Sequence, residues 1–156
     1  MFPRRIVALL LLGLPLVAPA ATGIVRVWTS YRTADSFKRV SEYLGGTENT
    51  GNETVFRSRP DFRDGYYFLI RTKSDVAVVG AKLTLEVVLP GTPEVKTFVF
   101  PTEVPAKQRV FHLGMTGADW PGAKIRPAAW RITVRGPEGA VLATQQSFLW
   151  SSGDGR

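Results

Sequence analysis

The chain has no cysteine and a single histidine, His112, among its 156 residues. Without thiols there is no disulfide to staple a small fold, no thiolate nucleophile, and no cysteine to carry a lipid behind an export signal. A zinc site would need carboxylates to complete it around one imidazole, an unusual donor set. A Ser-His-Asp assembly would have to be built around His112, which lies in a strand-like run between Phe111 and Leu113 with no nucleophile-elbow pattern nearby. Gly45-Gly46 and the Gly114 to Gly122 segment lack the spacing and the following lysine of a phosphate-binding loop, and no alternating acidic calcium loop is present. We therefore expect no cofactor, no metal and no enzyme activity.

Long apolar runs are also scarce. The one such stretch, Ile6 to Val17, is interrupted by Gly13 and Pro15. Its length, about 12 residues, is short of the ~20 that a membrane-spanning helix requires. Arg4 and Arg5 precede it and Ala18-Pro19-Ala20 follow, so it has the charged start, apolar middle and small-residue cleavage site of an export signal. Residues 1–21 are accordingly expected to be a signal peptide cleaved after Ala20 or Ala21. A periplasmic or extracellular location without a transmembrane anchor follows from that reading. What remains is one domain of ordinary size, able to bury roughly two-thirds of its unfolded surface without staples. We place it at residues 22–150, with a frayed tail at 151–156.

Removing Arg4 and Arg5 lowers the formal net charge from +7 to +5. The excess is concentrated: Lys107, Arg109, Lys124, Arg126, Arg131 and Arg135 face only Asp119 between Val104 and Arg135. Such a segment favours anionic partners, acidic glycans among them, although a solubilising surface has the same composition.

Beyond the leader, short β-type runs alternate with Gly, Pro, Asn and Asp. Residues 24–31 place Val25, Val27 and Thr29 on one side and Ile24, Arg26 and Trp28 on the other. Residues 53–58 form a weaker run, and 65–72 are so continuously apolar that both sides of that strand should be covered. Ala81, Leu83, Leu85, Val87 and Leu89 alternate with polar residues, turn at Pro90 to Pro93, and return through 94–100 as a hairpin closed by Pro101 and Pro105. Residues 108–113 form the next run, and Trp130 to Arg135 pair with 140–150 across a Gly136 to Gly139 turn. Residues 33–46 fit a short amphipathic helix capped by Asp35 or a strand joined by a Gly46 to Gly51 loop to 53–58. The all-β surroundings favour the strand.

The sum is an all-β antiparallel sandwich of seven to eight strands, with room for one short helix. Trp130-Arg131-Ile132-Thr133-Val134, a glycine-containing turn and Val141 to Trp150 resemble the last hairpin of exported immunoglobulin-like and fibronectin-type domains. That resemblance implies an immunoglobulin-like architecture and transfers no functional residue.

For binding, the irregular segment 114–127 stands out. Trp120, beside Lys124 and Arg126, could offer a flat ring and two cations to an anionic sugar, or pack into the open end of the sandwich. Packing is the favoured use. The acids Glu42, Glu48, Glu53, Asp61 and Asp64 are read as solvated loop charges rather than a hydrolytic pair. Trp28, Tyr31, Phe37, Tyr43, Phe56, Phe62, Tyr66 and Tyr67 crowd the N-terminal half, with Arg57, Arg59 and Arg63 among them. Export and the intervening Asp61 and Asp64 argue against nucleic acid, so protein contact is the better use for these aromatics. Asn52-Glu53-Thr54 matches a glycosylation triplet, relevant only in a eukaryotic host. The partner expected is an envelope protein, with an anionic glycan as the alternative.

Overall fold

The structure, a computed structural model, describes residues 21–153. The expected signal peptide, apart from Ala21, and the last three residues of the expected tail lie outside the described residues. Among the described residues eight strands form: β1 Thr22–Arg32, β2 Thr54–Arg57, β3 Gly65–Ser74, β4 Val78–Val88, β5 Val95–Val104, β6 Lys107–Thr116, β7 Ala129–Arg135 and β8 Val141–Gln146. They make two four-stranded sheets, ordered β1-β3-β6-β2 and β5-β4-β7-β8. The chain is an all-β sandwich.

Period-two alternation explains the layering. Ala81, Leu83, Leu85 and Val87 of β4 are fully buried, as are Ile132 and Val134 of β7, and they face Tyr66, Phe68 and Ile70 of β3 and Phe111, Leu113 and Met115 of β6. Each large apolar side chain taken from water this way contributes about 1.5–3 kcal/mol. Both expected hairpins are present, β4 with β5 and β7 with β8. As expected, β3 is central, lying between β1 and β6.

Five details depart from the sequence reading. In β1 a bulge between Ile24 and Arg26 sets Val25 out of phase, so Ile24 and Val27 both pack against the core while Val25 is exposed. A bulge inserts one residue and so reverses the alternation that a simple strand would keep. Pro101 does not close β5, which continues to Val104. β5 is an edge strand, where a missing N–H can face solvent. The run expected at 140–150 ends at Gln146, because Ser147 closes the ladder against Trp130 through N–H and hydroxyl contacts at 2.9 and 3.0 Å. Helix α2, Phe148–Gly153, then sets Trp150 against the Arg131 guanidinium.

The fourth departure is at 33–46, which is not a strand: it holds a 3₁₀ turn at Ala34–Phe37 and a one-turn helix α1 at Val40–Tyr43. The fifth is its cause. β2 pairs in parallel with β6 at the far edge of the first sheet from β1, instead of returning beside its predecessor. Residues 33–53 must therefore cross the outer face of that sheet, over β3 and β6, and the sheet is mixed rather than antiparallel throughout.

Candidate functional site

The crossing segment roofs one half of the outer face of the β1-β3-β6-β2 sheet. Beneath it lie the outward residues of the strands: Arg32 at the end of β1, Tyr67 on β3, His112 and Gly114 on β6, and Val55 and Arg57 on β2. Phe37, buried at the end of the 3₁₀ turn, plugs the gap. Its ring centroid is 4.7 Å from that of Tyr67 and 3.9 Å from the Arg32 guanidinium carbon. Gly114 makes this possible, because any side chain there would overlap the Tyr67 ring.

The roof is pinned by charge. Glu48 accepts from both terminal nitrogens of Arg57, and Arg57 Nε donates to the Tyr67 hydroxyl at 3.0 Å. Tyr67 in turn donates to the Arg63 carbonyl at 2.8 Å, and Arg63 Nη1 donates to Glu42 Oε2 at 2.7 Å. Glu53 Oε2 stands 2.7 Å from His112 Nε2, and Arg32 Nη1 is 3.4 Å from His112 Nδ1. Because the carboxylate accepts and the guanidinium donates, the neutral imidazole with its proton on Nε2 satisfies both neighbours. Three arginines thus balance three glutamates. Among the described residues, Glu42 Oε1 is the buried side-chain oxygen that lacks a partner.

This environment shifts its members by identifiable causes. Burial holds His112 below its ordinary value, outweighing the Glu53 hydrogen bond that works the other way. Burial raises Tyr67 despite its contact with Arg57. The Arg57 hydrogen bond lowers Glu48, and the Glu42 hydrogen bond raises Arg63. A pocket of about 100 Å³ remains under the roof, lined by Arg32, Phe37, Arg39, Asn49, Glu53 and His112 among others. With both imidazole nitrogens engaged, His112 has no free lone pair with which to activate a nucleophile. Among the described residues, no group of three or more histidine or acidic side chains could hold a metal ion.

No family model, curated protein or solved structure matches the chain. The geometry alone bears on function.

The residues singled out for binding behave differently. Trp120 is 5% exposed and stacks on Tyr66 inside the sandwich, with Nε1 donating to the Gly122 carbonyl at 2.8 Å. Arg126 reaches over the same Tyr66 ring at 5.6 Å, and Lys124 is exposed. The three lie close in the chain, but the indole faces inward. The reading of Glu42 and Glu48 as solvated charges is corrected: both turn under the roof to arginines, because a crossing segment has shielded cations to compensate; Glu53, which meets His112, keeps 44% of its side chain exposed. Asp64 accepts the Ala34 N–H at 2.9 Å, anchoring the roof's first turn. The basic residues of 104–135 separate onto two layers, Lys107 and Arg109 on β6 and Arg131 and Arg135 on β7.

Sequence reasoning missed the cluster of Arg32, Phe37, Glu48, Arg57, Tyr67 and His112. The available signals were an aromatic–arginine interleaving from 56 to 67 and a histidine on the polar side of an apolar strand.

Proposed function

We propose that this chain is an exported, non-enzymatic sandwich domain of immunoglobulin-like topology that works by protein contact in the cell envelope or outside it. The strand order supports the topology: β1-β3-β6 and β5-β4-β7-β8 follow the A-B-E and C′-C-F-G neighbours of that architecture, with β2 in the place of strand D but reached from β1.

The observation that carries the function is an exposed apolar crest on the roof. Val40, Tyr43 and Leu44 are 75%, 69% and 83% exposed. Phe62, also exposed, follows on the turn whose Arg63 is tied to Glu42. Among the exposed large apolar residues, these four fall on the roof and the turn tied to it, and Tyr and Phe are favoured interface anchors. Lys38 and Arg39 border the crest, so the fitting partner is a protein surface with an apolar centre and an acidic rim. The arginine-paired Glu42 and Glu48 below the crest suit a rigid platform rather than a reactive site. The glycan alternative at Trp120, Lys124 and Arg126 draws on the two cations, with the indole packed inward.

A photo-crosslinker at Leu44 in the exporting cell tests the reading. The expected outcome is a discrete adduct in the envelope or extracellular fraction that disappears with Tyr43→Ser at unchanged melting temperature. No adduct, or one that Tyr43→Ser leaves intact, overturns it. The same fractions report export: a mature N-terminus at Ala21 or Thr22 is expected, and a full-length cytosolic chain refutes it.

A further inference from the structure

The other half of the same sheet face has no roof and a different character. The β1–β3 register sets Arg26 directly beside Arg71, with Lys73 next on the same side of β3 and Gln108 opposite it on β6. Arg26, Arg71 and Lys73 are exposed, and Arg71 lines an open groove with Gln108 and Asn52. Among the described residues, none of these three cations stands in an ion pair with a carboxylate. The one acid of the groove, Glu53, is engaged by His112.

Like charges directly opposite one another on neighbouring strands destabilise a sheet. Arg26 and Arg71 are such a pair, and the fold holds them in place through Trp28, whose ring centroid lies 4.8 Å from one guanidinium carbon and 5.3 Å from the other. Indole stacking attracts the cations but supplies no negative charge. It also restrains the guanidinium planes, leaving N–H edges free for the two-point contacts that carboxylate and sulfate groups accept.

We propose that this open half-face is a binding strip for an acidic polysaccharide, whose recurring anionic groups are taken by Arg26, Arg71 and Lys73. Adjacent strands lie ~4.8 Å apart and alternate residues on one strand about 6.6 Å apart, so the cations form a flat two-dimensional array over which an extended polymer can lie. A bilayer surface fits less well, because the three cations stand on a flat sheet rather than on an amphipathic element with an apolar side to insert. The strip is independent of the crest: it uses other residues and another class of ligand.

The test measures retention of the exported protein on immobilised heparin and polygalacturonate, with phosphatidylglycerol vesicles as a third arm. Binding to at least one polysaccharide is expected at about 0.15 M salt, where long-range attraction is screened and specific contacts persist. Arg26→Gln with Arg71→Gln should weaken it about tenfold, whereas Lys82→Gln with Arg135→Gln, the same charge change on a cross-strand pair of the other sheet, should stay within about twofold. Equal losses in the two doubles would show a non-specific charge effect and overturn the proposal. So would binding to vesicles alone, or to neither polysaccharide. If the arginine double fails to fold, Lys73→Gln replaces it, and a loss of about threefold is expected. Unchanged binding in that variant overturns the proposal.

Discussion

Trp120 lies almost flat on Tyr66, ring centroids 4.6 Å apart and planes inclined by 23°. The Tyr66 hydroxyl donates to Thr29 Oγ1 at 3.0 Å, so the stack ties the loop after β6 to both β3 and β1. Trp120→Ala should therefore cost about 3–5 kcal/mol, the usual loss for a large buried aromatic. Trp120→Phe should keep most of the stability. Thermal unfolding by circular dichroism reads both, and an Ala variant that melts like the parent would show that the indole is not a structural plug.

Gly114 is the floor on which Tyr67 rests. A methyl group there would collide with the Tyr67 ring and push its hydroxyl away from Arg57 and the Arg63 carbonyl. Gly114→Ala is expected to destabilise by about 1–3 kcal/mol through overpacking. Gly23→Ala, where a methyl meets open space, should change stability by less than about 0.5 kcal/mol. Similar denaturation midpoints for the two variants would remove the close approach from the account.

Acid should weaken the fold in two stages. His112 has a native value below its ordinary 6.5, so the unfolded chain takes up the proton first and stability falls as pH drops from about 6.5. Glu48 is also lowered from its ordinary 4.5. Its contribution is complete above that value and is lost as pH falls further through the lowered native one. His112→Gln should flatten the first stage and leave the second. A pH series of unfolding midpoints checks this, and a first stage that persists in the variant would assign it to another group.

The Arg57–Glu48 pair is mostly shielded, with side chains 10% and 22% exposed. Removing the carboxylate strands a cation under the roof, so Glu48→Ala should cost about 2 kcal/mol, below the fully buried range because water still reaches the pair. The double variant with Arg57→Ala should lose less than the sum of the two singles. Additivity in that cycle would mean that the two side chains do not act together.

Much of the sandwich was legible because burial on alternate positions leaves a direct trace in sequence. The run from Ala81 to Leu89 states which side of β4 is inside, and the turns at Pro90 to Pro93 and Gly136 to Gly139 place the two hairpins. The β1 bulge was not legible, since Val25 is as apolar as its neighbours and only pairing with β3 shows which residue is extra. The arginines and glutamates of the roof were visible individually. Their partnership was not, because Glu48 and Arg57, or His112 and Glu53, meet only when a crossover lays residues 33–53 across the sheet.

The sequence by itself determined that this chain is built of strands, that its core needs no disulfide, and which apolar faces the two layers share. These are local properties, decided by each residue and its second neighbour. The tertiary structure decided the position of β2 at the edge opposite β1, and with it the division of one sheet face into a roofed, charge-balanced half and an open, cationic half. Strand order is set by which edge accepts the returning chain, a competition among surfaces far apart in sequence that no local pattern records.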